Sequence, residues 1–193
     1  MRFDPRLSSE SAKILIVSAD EAFPAREFQR TPDILDILIF QVAQYRCGIS
    51  SGQTQEIVPM AEVVRLPGQP PILHGLLNLR GSLVPVVFLR HLLGLPASTP
   101  GMYTPLIVVK SGSQQLALVV DQVIEVREVN RSSLKPLAEQ HSLNNCAQGE
   151  FENGEGSFVL LNADRLLLLE EQERLRQLAS EGMRRLNELE ASQ

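Results

Sequence analysis

Residues 75–94 read Gly75-Leu-Leu-Asn-Leu-Arg-Gly-Ser-Leu-Val-Pro-Val-Val-Phe-Leu-Arg-His-Leu-Leu-Gly94. Two short runs of Leu and Val, 76–79 and 83–88, flank Gly81-Ser82. Brief aliphatic runs on either side of a glycine-containing break have the pattern of paired strands, since Gly and Ser favour the φ/ψ values of a turn over a continued element. Gly75 and Gly81 are read as turn residues that need φ > 0. Pro85 has no N–H to give to a ladder, so it fits a strand start or an edge.

The same pattern extends outward in both directions. Upstream, apolar or alternating runs occupy 34–42, 46–49, 55–58 and 62–66; downstream they occupy 104–110, 115–120, 123–129 and 156–162. Ser50-Ser51-Gly52, Pro67-Gly68, Pro70-Pro71 and Gly112 separate them, and Asn153-Gly154 is a strong hairpin signal. About ten short strands without intervening crossover helices predict antiparallel barrels, not a doubly wound sheet. The one long helical pattern comes last. Asn162 is placed to cap a helix starting at Ala163, with Leu168, Leu175, Leu178, Leu186 and Leu189 on one face. Gly182 inside it costs about 1 kcal/mol relative to Ala, so 183–193 is expected to fray or to wait for a partner.

Residues 1–33 read as an N-terminal extension. Lys13-Ile14-Leu15-Ile16-Val17 followed by Asp20-Glu21 is similar to the opening of a receiver domain. No phosphoacceptor strand or strand–helix alternation follows, so an extension or edge strand is the better reading. The four apolar residues from Ile14 to Val17 are too few for a signal-peptide core, and no bilayer-crossing segment is expected.

Composition excludes several classes. The 193 residues are 44% hydrophobic, enough for a core, and 18 basic against 23 acidic side chains give a net charge of −5. That sign is wrong for neutralising phosphates, so neither nucleic acid nor an anionic membrane is an expected partner. Cys47 and Cys146 form no C-x-x-C pair, which fits a reducing cytoplasm and no zinc site. Cys47, within Tyr45-Arg46-Cys47-Gly48-Ile49, reads as a small buried hydrophobe.

Catalytic chemistry finds no footing. His74, His91 and His141 stand apart from one another and from other metal-type ligands. Gly149-Glu150-Phe151-Glu152-Asn153-Gly154-Glu155 lacks the Lys and Ser/Thr of a phosphate loop, and its carboxylates would repel a phosphate; it reads as a surface hairpin. The carboxylate pairs Asp33/Asp36 and Glu170/Glu171 read as solvated surface. No nucleophile–base–orienter set, metal site or cofactor site is expected.

The 75–94 stretch closely resembles the central motif of the CheW-like family: a glycine, N-L-R-G, an aliphatic pair, V-P and a leucine-arginine step. Asp36-Ile-Leu-Ile-Phe-Gln-Val42 with Cys47-Gly48-Ile49 and Glu56-Ile57 is similar to that family's opening strands. Leu116-Ala-Leu-Val-Val-Asp-Gln-Val-Ile-Glu-Val126 is similar to its V-D-x-V hairpin, and Phe158-Val-Leu-Leu-Asn-Ala-Asp-Arg-Leu-Leu167 to its closing strand and helix start. The resemblance spans about 34–169. It implies two packed SH3-like five-stranded barrels, about 34–84 and 85–162, a groove between them, and a C-terminal helix over 163–193. It further implies a non-enzymatic adaptor, cytoplasmic and recruited to receptor arrays. Its partners would be the cytoplasmic hairpin tip of a methyl-accepting chemoreceptor and the regulatory domain of a CheA-type histidine kinase.

On that resemblance, Arg80, Glu56, Asn78, Leu79 and Asp121 are the partner-binding candidates, with Arg80 and Glu56 expected to form an ion pair. Asp121 is otherwise expected to cap the turn before Val123. Phe88 stands where the family usually carries aspartate, and Thr54 where it carries an aliphatic residue. Those departures admit an adaptor of a twitching or phototaxis pathway. A small barrel enzyme and a domain detached from a larger signalling protein are the remaining alternatives; the chain's own start and helical end favour a stand-alone protein over the latter.

Overall fold

The computed structural model describes residues 33–66, 68–137, 146–153 and 156–190; His141, the 13–21 segment and Gly154-Glu155 lie outside them. The chain forms β1 (Ile34–Val42), β2 (Tyr45–Ser50), β3 (Thr54–Pro59), the two-residue β4 (Val63–Val64), β5 (Leu73–Leu79) and β6 (Ser82–Phe88). A single helical turn α1 (Leu89–Leu92) leads to β7 (Pro105–Ser111), β8 (Gln114–Val119) and β9 (Gln122–Asn130). Then come β10 (Ala147–Asn153), β11 (Gly156–Leu161) and the helix α2 (Leu169–Glu190).

The strands make two sheets. One runs β10-β11-β2-β1-β9, the other β3-β7-β8-β6-β5-β4. Pairing is antiparallel except at β11–β2 and β6–β8. Mainly β architecture in two units is as expected, but the division at residues 84 and 85 is not: it falls inside β6. Residues 54–119 supply the whole six-stranded sheet, whereas the five-stranded sheet joins β1 and β2 to β9, β10 and β11 from the end of the domain. Turn chemistry reports only which neighbours pair, and β1–β9 and β2–β11 are pairings between strands far apart in sequence.

Three apolar clusters explain the patterning. Leu77, Val84, Val86, Leu106, Val108, Ala117 and Val119, with Val58 and Val63 against them, draw on every strand of the six-stranded sheet, which therefore curls around its own core. Ile37, Ile39, Phe151, Phe158 and Leu160, with Val129 against them, form the inner core of the five-stranded sheet, drawn from all its strands except β2. The third and largest cluster lies between the sheets; Leu38, Phe40, Cys47 and Ile49 of one meet Leu73, Val87, Ile107, Val109, Leu116 and Leu118 of the other. β7 is buried on both faces, Leu106 and Val108 inward and Ile107 and Val109 toward the other sheet, so its sequence is continuously apolar instead of alternating. Each residue of this kind contributes about 1.5–3 kcal/mol by burial.

In the C-terminal third, β10 is a strand that the apolar runs do not predict: Ala147-Gln148-Gly149-Glu150-Phe151-Glu152-Asn153 has one large apolar residue, and Phe151 stacks on Phe158 with ring centroids 5.2 Å apart. Gly149 is needed there, since a Cβ would sit 2.7 Å from the Lys135 carbonyl oxygen. Asn162 does act as a cap, its Oδ1 accepting from Asp164 N at 2.9 Å, but it caps a 3-10 turn over Ala163–Arg165, and α2 starts only at Leu169.

Gly182 is not a weak point of the helix. It is buried, and a Cβ there would lie 2.7 Å from Leu76 Cδ1 and 3.1 Å from Leu83 Cδ1, so it lets α2 approach the β5–β6 hairpin. Leu175, also on α2, enters the inter-sheet cluster. Gly182→Leu is expected to overpack this contact by about 1–3 kcal/mol and to lower Tm by several degrees in a thermal melt. An unchanged Tm would mean that α2 is not seated on Leu76 and Leu83.

Candidate functional site

The expected ion pair is present. Arg80 Nη2 donates to Glu56 Oε2 at 2.9 Å. Its geometry begins with the β5–β6 turn. Leu79 pairs with Ser82, which leaves Arg80-Gly81 as a two-residue loop with φ of 52° and 85°, both left-handed as a type I′ hairpin requires. Gly81 meets that demand freely, but Arg80 holds a conformation that costs an L-residue about 1–2 kcal/mol. Asn78 Oδ1 accepts from Gly81 N at 2.9 Å and secures the turn, while Leu79 packs half-buried against the barrel core. Gly75, by contrast, has no left-handed φ; it is needed for close approach, because a Cβ would lie 2.8 Å from the Val64 carbonyl oxygen.

Arg80 has 72% of its side chain exposed and Glu56 26%. β3, which carries Glu56, ends one side of the strand order, and the β5–β6 hairpin lies near the other. The pair thus spans the seam of the curled sheet and offers a guanidinium to solvent. Thr54 stands beside it in β3, its Oγ1 donating to the Ser50 carbonyl at 3.3 Å across the turn that leads in from β2.

Asp121 belongs to a different arrangement. Its carboxylate receives two bonds from Arg90, Nε to Oδ1 at 3.2 Å and Nη2 to Oδ2 at 2.6 Å, and a third from the backbone N–H of Ala43. Ala43 is the second left-handed non-glycine residue, at φ 54° in the β1–β2 turn. Asp121 N donates to Gln41 O at 2.9 Å. This charge-assisted fork ties α1, at the end of the six-stranded sheet, to the β1–β2 turn of the five-stranded one. The cap expected before Val123 is therefore a clamp onto a turn distant in sequence, and Arg90, in the leucine-arginine step of the 75–94 motif, is the residue missed. Asp121→Ala is expected to cost about 1–2 kcal/mol, read as a lowered urea midpoint.

Phe88 lies in a ring cluster, 4.7 Å from His74 and 5.1 Å from His91 between centroids, and His91 Nδ1 is 3.1 Å from the Pro71 carbonyl. Burial, and then the charge of Arg65, lower the His74 pKa below its ordinary 6.5. Its neutral form is thus favoured in the fold. That contribution is complete above 6.5 and is lost as pH falls through the depressed folded value. Tm measured from pH 7.5 down to 5 is expected to fall less in His74→Gln than in the unsubstituted protein.

The remaining chemistry is sparse among the described residues. Both cysteines are buried; burial pushes Cys47 up to about 12 and Cys146 up to about 11, the reverse of thiolate activation. No three His, Cys, Asp or Glu side chains converge as a metal site would need. Cavities of about 100 Å³, lined by Phe88, Arg90, Pro100 and Asp121, and about 200 Å³, lined by Leu35, Gln53, Arg131 and Asp164, are smaller than usual ligand pockets of about 300 Å³ upward. Among the described residues no helix is long and apolar enough to cross a membrane.

Comparison with known proteins agrees with this architecture. The family model for the CheW-like domain matches residues 36–171. The chain is 28% identical over 139 residues to chemotaxis protein CheW of Klebsiella aerogenes, covering 70% of this chain and 83% of that one. It is 26% identical over 137 residues to the Helicobacter pylori protein of that name, covering 71% and 83%. Protein FrzA of Myxococcus xanthus is 27% identical over 118 residues, covering 61% and 68%. The crystal structure of the scaffolding protein TtCheW from Thermoanaerobacter tengcongensis superposes with a TM-score of 0.63 at 22% identity, over 66% of this chain and 88% of that one, and so has the same fold. With the family model matched across both sheets and the start of α2, this chain belongs to the CheW-like domain family.

Proposed function

We propose that this protein is a non-catalytic adaptor of chemosensory signalling, which couples the cytoplasmic hairpin tips of chemoreceptors to the regulatory domain of a CheA-type histidine kinase. Family membership supports the class of function. One observation carries the choice of surface: Arg80 occupies a strained left-handed position on an exposed turn that Asn or Gly would fill more cheaply. Strain of this kind persists where the residue is used. An exposed ion pair contributes only about 0–1 kcal/mol, too little to offset the backbone cost. On this reading Arg80, Glu56, Asn78 and Leu79 form the partner surface, with Asn78 and Leu79 supporting the turn, and Asp121 acts by holding the two sheets together. The functional unit is residues 34–169, and the site of action is the cytoplasm beneath receptor arrays.

A second reading, an adaptor for a different receptor and kinase such as those of a twitching or phototaxis pathway, is favoured by Phe88. An aromatic cluster with His74 and His91 replaces the aspartate usual at that position, and Protein FrzA stands among the relatives.

Calorimetric titration against the kinase regulatory domain and receptor-tip peptides from the same organism tests both. Saturable binding is expected, weakened tenfold or more by Arg80→Glu. Arg80→Asn separates function from fold: the turn should keep or gain stability in a melt, while affinity drops. Unchanged affinity in both variants would remove Arg80 from the interface. Binding only to partners of another pathway would establish the second reading.

A further inference from the structure

The β5–β6 hairpin has two faces. Leu77, Leu79, Val84 and Val86 turn into the core of their own sheet, so Leu76, Asn78, Leu83 and Pro85 point outward, Leu76 opposite Pro85 and Asn78 opposite Leu83. This outward face is mostly apolar and ends at the Arg80-Gly81 turn. α2 covers it. Gly182 brings the helix backbone against Leu76 and Leu83, and Leu76 is fully buried. Eight residues earlier, Arg174 Nη2 lies 3.5 Å from the Gly68 carbonyl ahead of β5, so α2 runs along the hairpin toward the turn. Three features mark this cover as an addition to the domain. The match to the CheW-like domain ends at residue 171, so only Leu169–Glu171 of α2 fall inside it, whereas both leucines belong to the 75–94 motif. The hold is thin as well: among the described residues of α2 only Leu175 and Gly182 are buried, and Leu175 enters the inter-sheet cluster. Beyond Leu178 the contact comes from half-buried Ala179 and Met183 and from a glycine, which gives close approach but little apolar area. Finally, α2 supports itself, with ion pairs Glu173–Arg176 at 2.8 Å, Glu181–Arg185 at 2.6 Å and Arg184–Glu188 at 3.5 Å, so its outer half can lift and remain helical.

We infer that the outward face of the β5–β6 hairpin is a helix-docking surface, which α2 occupies within the chain and which a helix of a partner protein takes when α2 lifts. The present occupant states the chemistry of the partner. It is an amphipathic helix with a glycine where Gly182 stands and apolar residues three and four positions before it, as Ala179 and Leu178 are. A larger residue at the glycine position would collide with Leu76 and Leu83. A helix seated there lies beside Asn78 and the exposed guanidinium of Arg80, so one partner covers the apolar face and the turn together. α2 then acts as a cover, lowering the partner's apparent affinity by the fraction of molecules in which the face is open. That the partner is one of the two signalling proteins named above rests on the adaptor reading.

Gly182→Glu in the full chain tests the inference, because it sets a bulky charge against two leucines and unseats the outer half of α2. Two titrations read the result. Against the kinase regulatory domain and receptor-tip peptides, the variant is expected to bind one of them about tenfold more tightly than the parent, the gain for a face open in about a tenth of parent molecules. A fluorescent peptide of residues 169–190, used as the second probe, is expected to bind the variant and not the parent, whose face is filled. If Gly182→Glu fails to fold by circular dichroism, Gly182→Ala, whose methyl group meets the same leucines, takes its place and should shift both readings in the same direction. Partner affinity equal in parent and variant, or equal binding of the peptide, would overturn the inference. If neither form binds either signalling protein while the peptide still discriminates between them, the adaptor reading falls and the docking face stands.

Discussion

The inter-sheet cluster is the constraint on which everything else in this molecule depends. Leu38, Phe40, Val42, Cys47 and Ile49 from one sheet, and Leu73, Val87, Ile107, Val109, Leu116 and Leu118 from the other, meet in one continuous apolar layer. Each sheet also closes around a smaller core of its own. The middles of β1, β7 and β8 therefore have no solvent face, and a polar side chain placed among Ile37–Phe40, Leu106–Val109 or Leu116–Leu118 would be buried at a cost. Gly48 follows from the same crowding: a Cβ there would lie 2.6 Å from Ile37 Cγ2.

Several polar contacts lie at the seams, where they hold parts of the chain that are remote in sequence. Arg90 and Asp121 clamp α1 onto the β1–β2 turn. Asp164 accepts from Gly112 N at 2.7 Å and, with Asn162, from the amide of Gln53 at 3.2 Å, joining the end of β11 to the turns before β3 and β8. These bonds fix the orientation of the sheets more than they add stability, because they sit at partly exposed sites where water competes. Arg80 and Glu56 differ in having one member largely open to solvent.

Much of the candidate site was legible in the chain. Arg80, Glu56, Asn78 and Leu79 fall within motifs whose order and spacing resemble a known family, and the opposite charges of Arg80 and Glu56 made a pair reasonable. The positive φ at Arg80 was not legible, since nothing in an arginine announces a left-handed backbone; the two-residue spacing between paired Leu79 and Ser82 imposes it. Asp121 was recognisable as a turn residue, but its partners Arg90 and Ala43 lie 31 and 78 residues away. Gly182 looked like a helix defect because propensity is a local quantity, and its role is a contact with Leu76 and Leu83.

The sequence by itself determined the class of fold. Short runs of Val, Ile and Leu, cut by Gly, Pro, Asn and Ser, allow few alternatives to small antiparallel barrels, because side-chain periodicity and turn propensity act over only a few residues. Ten of the eleven strands among the described residues follow from those local effects, and β10 does not because one phenylalanine cannot mark a strand. Only the tertiary structure decided which strands share a sheet. β1 and β2 pair with each other and are then flanked by β9 and β11 instead of by β3, since burying the shared layer depends on the whole set of long-range contacts at once.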